Sequence, residues 1–159
     1  VSICNGPPPE IIDFESAEDE IGGVAEWLLG IKKEGVQPHE IGVFVRSEDE
    51  VPRAIAAVER SKLIYKILDL NVETTFGHVS IGTMHLAKGL EFRAVAVMAC
   101  DDEIIPSQAR IESVSDESDL EEVYNTERHL LYVACTRARD HLLVTAAENP
   151  SEFLDDLGL

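Results

Sequence analysis

At 159 residues, 45% hydrophobic and 28% charged, the chain has the size and make-up of one globular domain able to bury its own core. Its 13 basic and 31 acidic residues leave a net charge of −18, which argues against binding a polyanion through overall charge. No apolar run approaches the roughly 20 residues that cross a bilayer, and three cysteines, Cys4, Cys100 and Cys135, without a C-x-x-C spacing, argue against a disulfide framework or a zinc ribbon.

With no signal-peptide pattern, a reducing cytoplasm is the expected setting. The chain starts at Val1, and Asn5, Gly6 and Pro7 to Pro9 read as a lead-in from a longer polypeptide. Residues 11–14 form a short apolar strand. Ser16, with Asp19 three residues on, resembles a capping box opening a helix whose apolar stripe at 21, 24, 25, 28 and 29 runs until Gly35. Residues 41–45 are a continuous apolar run, as in a strand buried on both faces. Ser47 and Glu50 make a second cap, with Pro52 in the first turn of a helix that turns Val51, Ile55 and Val58 inward. Residues 63–68, 79–83 and 94–100 return as strands, and an acidic loop with Pro106 fills 101–118. Ser118 and Glu121 form a third capping box for a helix running to about Arg137, with Leu120, Val123, Tyr124, Leu130, Leu131 and Ala134 as its buried stripe. A last strand covers 141–145, and 152–157 are a terminal half-turn or short helix.

Alternating strands and helices with doubly buried strands predict an α/β domain, its sheet mostly parallel with helices on both faces. In such sheets ligands gather at the strand C-terminal ends, and the turn after Thr83 is at one of them.

Two segments carry chemistry. Residues 83–92, T-M-H-L-A-K-G-L-E-F, put a histidine, a lysine, a glycine and a carboxylate into one turn between apolar strands, a poor recipe for a core and a good one for a ligand-contacting loop. Residues 127–138, E-R-H-L-L-Y-V-A-C-T-R-A, end a helix on Arg137. Acids cluster elsewhere, whereas Lys88, Arg93, Arg128, Arg137 and Arg139 sit in or beside these segments, so local charge decides what binds there. His78, His85, His129 and His141 show no metal-ligand spacing, and no metal site is expected.

In this order, separated by an apolar strand, an acidic loop and a helix, the segments resemble motifs V and VI of the UvrD/Rep-like superfamily 1 helicases. A weaker likeness extends from about residue 10 to the C-terminus. The resemblance implies a three-layer RecA-like fold of P-loop NTPase type, with residues 1–159 forming the second motor domain. It implies that Arg137 reaches the γ-phosphate of ATP, where a planar cation stabilises transferring charge. The plainer alternative is an arginine serving a helix C-terminus. Glu91 would accept a hydrogen bond from the ribose, and Gly89 would let the backbone approach phosphate. Their alternatives are an exposed acid and a helix C-cap. Thr83 and His85 would touch the backbone of single-stranded DNA without reading bases, although the residues do not separate DNA from RNA. Lys88 and Arg128 are candidates for coupling the two sites. The partner of Lys88 stays open among phosphate, carboxylate and carbonyl. Arg128, nine residues before Arg137 and placed on a similar side of the helix, reads more simply as solvated or salt-bridging.

The chain departs from the family in several places. It has no G-x-x-x-x-G-K-[ST] loop, and Asp101 and Asp102 lie downstream of the first motif rather than in a magnesium-holding position. Alone, the chain is expected not to hydrolyse ATP. Mg2+ would be held mainly by the first motor domain, which is missing. The family's motif IV arginine would precede Val1, so Arg46 is not that residue. Only residues 69–78 stand where family members insert a large accessory subdomain. Glu103 and Ser107 replace the family's usual glycine and histidine. The expectation is therefore half of an ATP site and half of a DNA track in a 3′–5′ helicase or translocase. The alternative is a non-catalytic module that keeps the fold and recruits a basic protein through its acidic surface.

Overall fold

Short runs of β-branched and small apolar residues build a single sheet of six strands, ordered β1-β6-β5-β2-β4-β3, in the computed structural model, which describes residues 6–157. The strands are β1 (Glu10–Phe14), β2 (Ile41–Val45), β3 (Tyr65–Ile67), β4 (Val79–Thr83), β5 (Phe92–Val97) and β6 (Ala138–Ala147). Every neighbouring pair is parallel, so the sheet is wholly rather than mostly so. Strands β2 and β4 are buried along their whole length, as their unbroken apolar runs demand. The expected lead-in at 1–9 falls in part, and Cys4 entirely, outside the described residues.

Strand β5 starts and stops earlier than the apolar run suggests. Ala99 takes a left-handed backbone (φ 58°), and its N–H is captured by Glu20 Oε2 at 2.9 Å. Glu20 is fully buried in the first turn of α1 (Ala17–Lys33), where it also accepts from Thr145 Oγ1 (2.6 Å) and Arg53 Nε (2.5 Å). Arg53, in α2 (Val51–Arg60), forks onto Asp101 as well. This clasp ties the start of α1 to the ends of β5 and β6.

Helices α1 and α2 cover one sheet face, with Val24, Leu28, Ala54 and Val58 against Val43, Ile81 and Ala96. Ser16 caps α1 as expected, its Oγ accepting Asp19 N–H at 3.1 Å, and Gly35 (φ 98°) follows the helix end. Before α2 a 3-10 turn intervenes, Glu48–Glu50, and Ser47 donates to the Glu50 carboxylate (2.5 Å) instead of capping backbone. Ala54, Ala57 and Val58 are the innermost α2 positions, while Ile55 is half-buried. The opposite face is covered by α4 (Glu117–Thr136) and a C-terminal 3-10 stretch, Glu152–Leu157, packing Leu131, Ala134 and Phe153 on Phe44, Val95 and Val144. The acidic loop contains a short helix, α3 (Gln108–Glu112), that the sequence did not announce. The cap of α4 is Asp116, which accepts Asp119 N–H at 2.8 Å; Ser118 already lies inside the first turn. Asp116→Ala is expected to cost about 1 kcal/mol, read from the urea midpoint, whereas Ser118→Ala should cost far less.

Both β4 and β5 flank β2. Thr83 lies level with Val45, whereas Ala94 lies level with Ile41, so residues 84–91 return across the full height of β2. They do so in the same layer as α4, beginning with a 3-10 turn, Met84–Leu86, and burying Met84 and Ala87 against the core. No helix among the described residues is long and apolar enough to cross a membrane.

Candidate functional site

The returning segment and α4 together form a groove of about 560 Å3, lined by Met84, His85, Lys88, Gly89, His129, Leu130, Val133 and Arg137. Strand register fixes its two ends. Thr83 and His85 lie at the C-terminal end of β4. Gly89, Glu91 and Arg137 lie at the opposite edge of the sheet, where β5 and β6 begin and Phe92 N–H bonds Arg137 O at 2.9 Å. Thr83 and His85 thus lie at a strand C-terminal end, whereas Gly89, Glu91 and Arg137 do not. The ten-residue step from Glu127 to Arg137 corresponds to about 15 Å of helix.

At the lower end, Arg137 ends α4 with its guanidinium spread over three oxygens: Val133 O (3.1 Å), Leu90 O (3.2 Å) and Thr136 Oγ1 (3.2 Å). Among the described residues it forms no ion pair, so its charge is unneutralised. Glu91 is exposed, and among the described residues its carboxylate has no hydrogen-bond partner. Gly89 has φ 83°, and a Cβ added there would meet nothing within 4 Å. In this structure its left-handed backbone, not a steric contact, is what requires glycine. Gly89→Ala is expected to cost about 1 kcal/mol by strain alone, seen as a lower melting temperature.

At the upper end, Thr83 is buried and its hydroxyl has no partner among the described residues. His85 Nε2 lies 3.2 Å from Arg46 Nη1, and Arg46 in turn clamps Glu127 through Nε (2.8 Å) and Nη2 (2.6 Å). Glu127, fully buried, also accepts from Ser107 N–H and Arg110 Nη1, both at 2.7 Å. Burial alone would raise the Glu127 carboxyl, but Arg46, the Ser107 N–H and Arg110 together hold it below the usual glutamate range. His85 is held below its ordinary value by burial, then by Arg46 and Arg110, against the pull of Glu127.

Two expected neighbours are not brought together. Arg128 pairs with Asp156 (3.1 Å) and covers the Phe153 ring at 4.7 Å, away from Arg137. Two and a half helical turns place a residue on the opposite side, not a similar one. Lys88 lines the groove and is exposed, without a partner among the described residues. Cys135 is buried, and burial pushes its thiol up to about 12, so proximity to Arg137 does not activate it. Arg46, Arg110 and Glu127 were not anticipated as site residues. The spacing of Glu127 on an otherwise apolar stripe is the signal that could have found them, since a buried carboxylate demands a cation.

Residues 53–149 match the family described as UvrD-like helicase C-terminal domain. YjcD of Bacillus subtilis is 44% identical over 151 residues, covering 89% of this chain and 18% of that protein. DNA helicase II of Rickettsia typhi is 34% identical over 119 residues, covering 70% of this chain and 17% of its own length. The ATP-dependent DNA helicase PcrA of Staphylococcus epidermidis is 34% identical over 102 residues, 57% of this chain and 13% of that one. The chain therefore spans under a fifth of these relatives. The crystal structure of the C-terminal domain of a possible DNA helicase from Lactobacillus plantarum shares the fold, with a TM-score of 0.69 at 22% identity, over 96% of this chain and 84% of that one. The parallel sheet, the two motif segments in order and the matched residues agree: the chain belongs to the UvrD-like helicase C-terminal domain family.

Proposed function

We propose that the chain is the second motor domain of an ATP-dependent superfamily 1 helicase or translocase, moving 3′ to 5′ on single-stranded DNA as part of a longer polypeptide. One observation carries the reading: a single groove has an unneutralised arginine at one end and, at the other, His85, whose Nε2 is engaged by Arg46 and whose Nδ1 has no partner among the described residues. Arg137 fits a phosphate ligand because its fork is presented with no competing carboxylate. Glu91 fits a ribose hydroxyl, and the bend at Gly89 leaves backbone open beside them. ATP with Mg2+, when bound, supplies the phosphoanhydride bond whose cleavage drives the cycle, and the first motor domain holds most of it. In this reading Arg137 stabilises charge on the transferred phosphoryl group and performs no nucleophilic chemistry. Thr83 and His85 hydrogen-bond the DNA backbone. Arg137 is tied through Leu90 O to the segment that also carries His85, so a shift at either end is felt at the other. Lys88 lies between them on that segment. The short link at 69–78 makes this a compact motor without a large accessory insert.

DNA-stimulated ATP hydrolysis tests the proposal. Turnover that rises with single-stranded DNA in the longer polypeptide, and none in this chain alone, is the expected result. A longer polypeptide with an intact phosphate-binding loop and no such turnover would replace the motor with the interaction module.

A further inference from the structure

The polar cluster at the upper end of the groove carries more positive charge than its buried carboxylate neutralises. Arg46 and Arg110 share Glu127. One carboxylate against two guanidiniums leaves a local surplus of one positive charge, in a chain whose net charge is −18. Arg46 has a side-chain exposure of 9% and Glu127 of 0%, so this pair is fixed inside the fold, while Arg110 at 38% reaches solvent.

Arg46 spends Nε and Nη2 on Glu127, which orients its remaining nitrogen, Nη1, onto His85 Nε2 at 3.2 Å. A guanidinium can only donate. Nε2 must therefore offer its lone pair, and the ring proton must sit on Nδ1. An imidazolium would set donor against donor at the same contact. The charged groups around the ring are Arg46 from the end of β2, Glu127 from α4 and Arg110 from α3, with Lys88 and His129 lining the same groove.

We propose that Arg46, clamped by Glu127, is a positioning residue that fixes His85 as an Nδ1–H donor toward a phosphodiester oxygen. This rests on the nucleic-acid reading of His85 and adds the atom that donates and the residue that selects it. A neutral donor beside surplus positive charge binds phosphate without itself having to gain a proton, and burial together with those positive neighbours carries the neutral form to lower pH than in an ordinary histidine.

Long-range 15N–1H correlation spectra of the His85 ring in the full 159-residue chain test it, with Arg46→Gln and the charge-balanced Arg46→Gln/Glu127→Gln. The second variant serves where the first, with Glu127 half-paired, does not fold. In the wild type Nδ1 is protonated and Nε2 bare at neutral pH. In a folded variant the Nε2 signal moves by tens of ppm toward the protonated region, and the ring titrates at higher pH. A wild-type proton on Nε2, or an unchanged tautomer in a folded variant, overturns the positioning role. Oligodeoxythymidylate and inorganic phosphate are then added separately. A shift of His85 Nδ1 with the oligonucleotide alone supports the phosphodiester, and an equal shift with both supports phosphate chemistry from either source. No shift with either overturns the nucleic-acid reading, independently of the tautomer result.

Discussion

Arg137→Ala, made in the longer polypeptide, is expected to lower DNA-stimulated ATP turnover by about 10³-fold, the scale of a lost arginine finger. The same substitution removes three hydrogen bonds of a half-buried side chain, to Val133 O, Leu90 O and Thr136 Oγ1, so a structural cost accompanies it. Hydrogen bonds donated by a charged group contribute on the order of 1–3 kcal/mol each where they are shielded from water, and a melting curve on the 159-residue chain measures their sum. The two effects separate with Arg137→Lys, which keeps the charge and gives up the planar fork. Turnover in Arg137→Lys should fall nearly as far as in the alanine variant if bidentate contact with phosphate is what the site requires. Wild-type turnover in Arg137→Ala would remove Arg137 from the mechanism.

The second large effect falls on stability. Glu127→Ala leaves Arg46 inside the fold with no carboxylate, and the Ser107 N–H without its acceptor. Breaking a buried pair from one side costs about 3–5 kcal/mol, and in a domain of this size that lowers the melting temperature by roughly 10 °C. Arg110 can turn to water and contributes little to the loss. The pH dependence has a definite sign. The folded-state pKa of Glu127 lies below its unfolded value, so its contribution is complete above the ordinary glutamate pKa of about 4.3 and fades as pH falls through the folded value. Urea midpoints at pH 7 and pH 3 should therefore differ less for Glu127→Ala than for the wild type. An equal difference in the two proteins would assign the acid sensitivity to other carboxylates.

How much of this was legible from the residues depends on range. The doubly buried runs at 41–45 and 79–83 announced a parallel sheet, because only strands covered on both faces lack polar alternation. The order of those strands was not legible. The parallel run of β4 and β5 already forces the segment between them to return along the sheet, separating Thr83 and His85 from Gly89, Glu91 and Arg137, and the order adds that this return crosses β2. The apolar members of the α4 stripe mark its buried face, and position 127, midway between Val123 and Leu131, lies on that face by spacing while its carboxylate gives no apolar signal. Its partners come from 81 and 17 residues away, beyond any local pattern. Near Asp116 the failure was of another kind. Asp116 and Ser118 are both competent caps two residues apart, and the choice is set by where the chain arrives from α3.

The return of residues 84–91 over β2 also fixes the span that this segment must cover. Both exits of this stretch are strands held in register on β2, so its span equals the height of that strand and cannot be renegotiated locally. Along it Met84 and Ala87 are buried in the core and Gly89 is left-handed, whereas Lys88 and Glu91 are exposed. Residues 69–78 also join two parallel strands, β3 and β4, but none of them is buried, and extra chain at this rim of the sheet can loop into solvent. Inserted chain is therefore accommodated at the exposed rim at less cost than in the segment packed on the core.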